Sequence, residues 1–351
     1  MCLARVPMGR SAQSRSLACA LGSLLLLSLL GASAASAGIH ALYQGRLRLA
    51  SGVGAVARPG AVSIDPTRGE ICVTDEPGAS LQVFNDRGVL VYRTDRLSGL
   101  SSPMDAGIDS LGRFVCTDSD SLASRTIRRL SYLGEPDAFR PEPPQAGWYP
   151  TRLTITADGN YVTLDQNSGV LAKHDARSGA LLWQRRLGGG KADALSLGRP
   201  AEAPDGKLYV PGGELHEVLI LSADGEPLSS FGTMGTAAGR LIFPVGVGFA
   251  PDGIVAVLDR MRHTVVLYDR RLQVVGEFGG FGAAPGQLYH PIAIAAAPSG
   301  LIYVAQGYES RVQVFRIVSS DPNAARPLDD RGNGTAVSIL IPATKGAASM
   351  Q

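Results

Sequence analysis

From about residue 59 to residue 315 the chain alternates apolar and polar positions in short runs, such as "EICVTD" (70–75), "LIYVAQ" (301–306) and "RVQVF" (311–315). The period is two, and Val, Ile, Tyr and Phe dominate, which suits half-buried strands. Asp-Gly and Ser-Gly pairs stand between the runs, as two-residue hairpins require. Glycine (43 residues) and proline (22) are spread along the chain rather than blocked. The pattern predicts an all-β domain of many short strands joined by tight turns.

The runs fall into units. "FGTMGTAAGRLIFPVGVGFAPDGIVAVLDRMRHTVVLYD" (231–269) is followed by a near twin, "FGGFGAAPGQLYHPIAIAAAPSGLIYVAQGYESRVQVF" (278–315). Each opens on Phe-Gly, passes through small residues to a Leu, and places a Pro at the head of an apolar run. A turn then leads to two further runs. Looser copies begin at Arg58, Ser102, Tyr149 and Arg199, and the opening prolines are Pro59, Pro103, Pro150, Pro200, Pro244 and Pro291. Their spacings of 44, 47, 50, 44 and 47 residues, with about four strands per unit, mark propeller blades. A blade cannot bury its faces alone, so six units must stack around an axis. Each Pro belongs at the start of an innermost strand, where its missing N–H takes no ladder bond away. Fifteen or sixteen residues after the Pro stands Asp75, Asp118, Asp165, Asp259 or Gln306; the shorter fourth copy puts Gly212 there.

The consensus Phe-Gly…Gly-x-Leu…Pro-x-x-apolar…Gly-x-apolar-Tyr-Val-x-Asp…Arg-x-Gln-Val-Phe resembles the NHL repeat, most closely in copies five and six and in "LQVF" at Leu81–Phe84. The resemblance covers about residues 45–318 and implies a six-bladed β-propeller of NHL-like repeats. The sixth unit has three strands and then a polar run, 318–334, that reads as loop. The mature N-terminus, around Arg46–Leu49, is therefore expected to supply the missing outer strand and close the ring. The tail Thr335–Ala343 reads as a further short strand, and Lys345–Gln351 as disordered.

Composition changes the picture at the N-terminus. Arg5, Arg10 and Arg15 precede the apolar stretch Leu17–Leu30, and Ala35-Ser36-Ala37 makes a small-residue cleavage site. Residues 1–37 read as a signal peptide, 38–318 as the propeller and 319–351 as a polar linker and tail. The uncharged stretch Ser16–Ala37 is also long enough for an uncleaved anchor, the alternative. The expectation is a secreted monomer, periplasmic or extracellular, with no membrane contact beyond the leader. Removing the leader takes away three arginines and no acid, so 33 basic residues fall to 30 against 31 acidic ones. A near-neutral domain has no electrostatic footprint for nucleic acid.

Candidate chemistry is sparse. The glycines from Gly280 to Gly286 lead into a strand, whereas a phosphate loop needs a helix N-terminus behind it, so they read as a hand-over between blades. His216, His263 and His290 belong to one rim, in blades four to six, and three imidazoles with an open position would suit zinc. Against that, equivalent slots of neighbouring blades lie too far apart for ligands at about 2 Å. Propeller lyases similar to this family, such as the peptide-amidating lyases, carry metal-binding His directly after the opening Pro. Here those positions hold Gly60, Met104, Thr151, Ala201, Val245 and Ile292. The recurring Asp residues either ring a pore or accept N–H bonds within their own turns, the second being the expected role. Cys72 and Cys116 lie on facing sides of neighbouring blades. Packed sheets stand about 10 Å apart, while bridged Cβ atoms stand about 3.8 Å apart. Free buried thiols are the expectation and a disulfide the alternative.

The rim remains. Trp148, Tyr149, Arg199, Arg260, Arg262, Tyr289, His290 and Tyr308 mix aromatics with cations, as recognition surfaces do. The sequence thus points to a binding module or scaffold for a protein, peptide or glycan, with no cofactor and no catalytic residue. The alternative is a propeller enzyme of lyase or lactonase type with Zn or Ca in its channel.

Overall fold

The computed structural model describes residues 39–50, 58–94, 98–121, 124–190 and 196–319. The expected signal peptide and the strand expected at Thr335–Ala343 lie outside these residues, as does nearly all of the polar linker and tail. Strand β1 (Ile39–Leu47) comes first. Blade 1 holds β2 (Pro59–Ile64), β3 (Ile71–Asp75), β4 (Ser80–Phe84) and β5 (Leu90–Arg93). Blade 2 holds β6 (Asp105–Ile108), β7 (Phe114–Ser121) and β8 (Ser124–Leu130). Blade 3 holds β9 (Arg152–Ile155), β10 (Tyr161–Asp165), β11 (Val170–His174) and β12 (Leu181–Arg186). Blade 4 holds β13 (Ala201–Glu202), β14 (Leu208–Gly212), β15 (Glu217–Leu221) and β16 (Pro227–Phe231). Blade 5 holds β17 (Pro244–Ala250), β18 (Ile254–Asp259), β19 (Thr264–Tyr268) and β20 (Val274–Gly279). Blade 6 holds β21 (Pro291–Ala296), β22 (Leu301–Gln306) and β23 (Arg311–Ser319).

These are six antiparallel sheets, five of four strands and one of three, and together they make the six-bladed propeller. The core is divided among the blade interfaces. Ile71 and Phe84 of blade 1 bury against Ala293 and Tyr303 of blade 6. Leu258 and Phe278 of blade 5 bury against Val304 and Phe315 of blade 6. Corresponding clusters join blades 1 and 2, 2 and 3, 3 and 4, and 4 and 5. Each apolar face finds its partner in the next repeat, which is why the units need one another.

Strand β1 closes the ring. It pairs antiparallel with β23 from Ile39↔Ser319 to Leu47↔Val312, with one bulge between Tyr43 and Gly45. The strand begins seven residues before the expected Arg46 and ends at Leu47, so Arg48 and Leu49 are not part of it. The reason lies in its partner: β23 continues past "RVQVF" to Ser319, and a longer strand offers a longer edge. Blade 2 departs from the four-strand pattern. After β8 the chain makes one isolated bridge, Leu130↔Pro136, and then runs through Pro141, Pro143 and Pro144, which cannot donate to a ladder.

Pro59, Pro244 and Pro291 open their inner strands as expected, whereas Pro103, Pro150 and Pro200 stand one or two residues earlier. In blades 1, 5 and 6 the register shifts just after the Pro. Such a bulge re-aims the residues beside it.

Candidate axial binding site

The repeated Asp is a clamp. Asp259 accepts N–H bonds from Met261 (3.0 Å) and Arg262 (2.9 Å) in its own turn, and from Ile242 (2.5 Å) and Phe243 (2.9 Å) in the loop entering the blade. Asp165 does the same with Asn167, Ser168 and Tyr149. Asp75 and Asp118 hold the N–H groups of Arg58 and Ser102. Gln306 substitutes by accepting from Tyr289 N at 2.8 Å. In blade 4 a Cβ on Gly212 would stand 2.8 Å from Leu215, so that slot has no room for a side chain. All four Asp are buried, with their oxygens consumed by the fold. They pin the rim loops and do not ring a pore.

Four residues on, the turn adopts left-handed backbone: Ala79 (φ 46°), Gly169 (68°), His216 (59°), His263 (57°) and Ser310 (49°). The recurrence of histidine in blades 4 and 5 is a recurrence of this turn position. His216 Nδ1 lies 2.6 Å from Ile242 O. His263 and His290 do meet, with ring centroids 5.2 Å apart and His290 N donating to His263 Nδ1 at 3.2 Å. The three imidazoles do not converge as a set. Among the described residues no group of three or more His, Cys, Asp or Glu is placed to hold a metal.

At the end of the axis where the inner strands begin lies a cavity of about 590 Å3. Its floor is formed by residues that directly follow the opening prolines: Gly60, Met104, Val245 and Ile292. Gly60 has no space for more, because a Cβ would stand 2.9 Å from Thr74 Oγ1 and 3.2 Å from Met104 O. The wall carries the guanidinium groups of Arg58, Arg152 and Arg260, against one carboxylate, Glu76, which accepts from Ser102 Oγ at 2.9 Å. Gln166, Asn167, Phe243 and Tyr308 complete it. Arg152 lies deep in the molecule but opens onto the cavity. Burial lowers its pKa, Asp105 raises it, and Arg199 and Arg260 lower it again. Arg260 lies over the Phe243 ring, 4.6 Å from its centroid, and burial lowers its pKa too. Guanidinium groups stay charged through such shifts, so the cavity is a focus of positive potential.

Several residues expected on the rim are elsewhere. Arg199 is not a rim residue; its Nε donates to Asp105 Oδ2 (3.0 Å) and Leu153 O (2.9 Å), and its Nη1 to Val62 O (3.4 Å). It spans the axis and lines a second cavity, of about 390 Å3, at the opposite end. Trp148 is not on the rim either: it is buried between blades 2 and 3 against the His174 ring, 5.2 Å away. An indole there fills a gap that a shorter side chain would leave empty. Arg262 is tied to Glu277 at 3.0 Å and to Arg240 O at 2.7 Å, which leaves it no free donor face. Tyr149 sits beneath Arg125, 5.4 Å away, and does not line the cavity. Arg260 and Tyr308 are on the cavity wall, and Tyr289 and His290 form a shelf beside it. Arg152 was missed. Its signal was a charge inside an innermost strand, "YPTRLTI", where period-two burial predicts none.

Cys72 and Cys116 both lie in the cluster between blades 1 and 2, as free thiols. Burial pushes the Cys72 thiol up to about 12 and Cys116 well above its usual range.

No protein-family model matches the sequence, and no curated protein matches it. Solved structures do resemble it in fold. A streptogramin B lyase superposes with TM-score 0.56 at 14% identity, covering 79% of this chain and 98% of that one. A catalytically inactive virginiamycin B lyase from Staphylococcus aureus, solved with quinupristin, gives 0.56 at 12%, covering 80% and 100%. A protein of unknown function from Bacteroides thetaiotaomicron gives 0.61 at 12%, covering 80% and 76%. At these identities the likeness is one of fold.

Proposed function

We propose that this chain is a secreted binding propeller of NHL-like repeats whose axial cavity receives a small organic anion or the anionic end of a peptide. The observation that carries the reading is the charge of the cavity wall, three guanidinium groups against one engaged carboxylate on an apolar floor. Arginine suits carboxylate and phosphate because its planar donors match both oxygens at once. Removal of the leader after Ala37 would leave the closing strand whole, since that strand starts at Ile39. A cleaved, exported product is therefore compatible with the ring. The alternative, a lyase with a cation in the channel, is supported by the fold likeness to streptogramin B lyases. The wall does not suit a divalent cation: its side-chain oxygens are one carboxylate, two amides and the hydroxyls of Ser196 and Tyr308, and the three guanidinium groups repel a cation.

Isothermal titration of the purified mature domain with succinate and inorganic phosphate, at low and at physiological salt, tests the reading. Binding that weakens with salt and is lost in Arg152→Gln is expected. Heat signals unchanged by Arg152→Gln, or one equivalent of tightly held zinc or calcium in the purified domain, would overturn it.

A further inference from the structure

The aromatic shelf on blades 5 and 6 lies on the loop that joins the two blades and on the turns beside it. Tyr289 lies 6.4 Å from Tyr308, 5.5 Å from Phe281 and 4.7 Å from His290, ring centre to ring centre. His263 stacks nearly parallel to Tyr289, 5° between planes, at 6.3 Å. Yet the outer members are open to water: Phe281 is 66% exposed and Tyr308 71%. Core aromatics are buried, and loop aromatics without a partner have no reason to gather. The histidines fix the shelf, because His263 Nδ1 accepts from the His290 backbone and both residues hold left-handed backbone, at 57° and 42°. Tyr308 belongs to both features, for it is a member of the shelf and a wall of the cavity. A ligand whose charge reached Arg152 and Arg260 would meet the Tyr308 ring on the way out.

We propose that cavity and shelf form one site and that its ligand is an aryl carboxylate, the carboxylate held by Arg152 and Arg260 and the aryl ring laid against Tyr308 and Tyr289. The proposal rests on the anion-binding reading and narrows it. The shelf supplies flat apolar faces with polar edges, and aromatic pairs prefer offset or edge-to-face contact at the separations these rings leave open. The Arg260–Phe243 pair at the mouth presents the same combination of charge and ring face.

The test is titration calorimetry with three matched probes: cinnamate (charge and ring), hexanoate (charge alone) and cinnamyl alcohol (ring alone). Cinnamate should bind roughly tenfold tighter than hexanoate, near the upper end of what one aromatic pair contributes, and cinnamyl alcohol should bind weakest. In Tyr308→Ala, a change at an exposed position, the preference for cinnamate over hexanoate should collapse to within about twofold. Arg260→Gln should weaken both acids and leave the alcohol where it was. Circular dichroism and melting temperature check that both variants fold. Equal affinities for cinnamate and hexanoate in the native protein would overturn the aryl assignment and leave the anion reading standing. Failure of both acids to bind would overturn the two together.

Discussion

Arg199→Met should be among the most damaging single substitutions in this chain, although Arg199 lies in no sheet and its backbone belongs to a loop. Asp105 is fully buried, and its carboxylate is held by Arg199 Nε at 3.0 Å, Leu153 N at 3.0 Å and Ala106 N at 2.8 Å. Methionine keeps the packing of the stem but removes the charge, leaving a buried carboxylate with two neutral donors. Removing one partner of a buried ion pair costs about 3–5 kcal/mol, against a total stability of about 5–15 kcal/mol. The two carbonyls that Arg199 also satisfies, Leu153 O and Val62 O, add to the loss. The double variant Arg199→Met/Asp105→Asn removes the stranded charge and should recover about 2 kcal/mol of it. Urea unfolding followed by tryptophan fluorescence is the assay. Trp148 and Trp183 report on it directly, since one packs between blades 2 and 3 and the other on blade 3. An Arg199→Met loss under about 1 kcal/mol, or a double variant weaker than the single, would refute the reasoning that the pair is a buried, coupled spoke.

Acid should weaken the protein through His174. Its ring is fully buried and burial lowers its pKa to about 4, so the stability that neutral His174 supports is complete above 6.5 and declines as pH falls towards 4, by up to roughly 3 kcal/mol. Unfolding free energies of native protein and His174→Phe between pH 7 and 4 should converge, and parallel curves would disprove the assignment. A chain beginning at Gly38, which keeps the whole closing strand, should unfold in one transition, whereas a chain beginning at Arg48 should lose cooperativity and about 2 kcal/mol from Leu47 alone; thermal unfolding compares them. Cys72 and Cys116 should resist iodoacetamide in the folded protein and react at once in urea, as mass spectrometry would read, because the thiolate is both buried and disfavoured.

The fold was legible because it repeats. Six prolines at near-equal spacing and an Asp at a constant offset are each a local necessity, a strand start and a loop clamp, and local necessities leave sequence marks. The closing strand was legible as a need but not in register, because its bounds depend on how far β23 runs and not on anything in "IHALYQGRL" itself. The candidate site was read only in part. Tyr308 and Arg260 follow the Asp slot, so counting from the repeat found them, although the same count also found Arg262, which turns onto Glu277. Trp148 and Arg199 hold comparable positions before an opening Pro but turn inward, one into the gap between blades and one across the axis. A loop residue beside a strand has no alternation rule to say which way it faces.

Departure from the repeat is the better guide to chemistry here. What the propeller needs at equivalent positions recurs: a Pro in every blade, an Asp or Gln clamp in five, and a left-handed turn residue in the five blades where that position is described. The groups that shape the cavity differ from blade to blade. Arg152 stands where blades 2 and 4 carry acids, Asp105 and Glu202, and the others Ala61, Gly246 and Ala293; Arg58 and Arg260 sit in different slots of blades 1 and 5, and Tyr308 has no aromatic counterpart after the other clamps. The cations stand on alternate blades, 1, 3 and 5, so the rings gathered at blades 5 and 6 give the opening its direction, and a ligand with a charged end and a flat end is what such an opening selects.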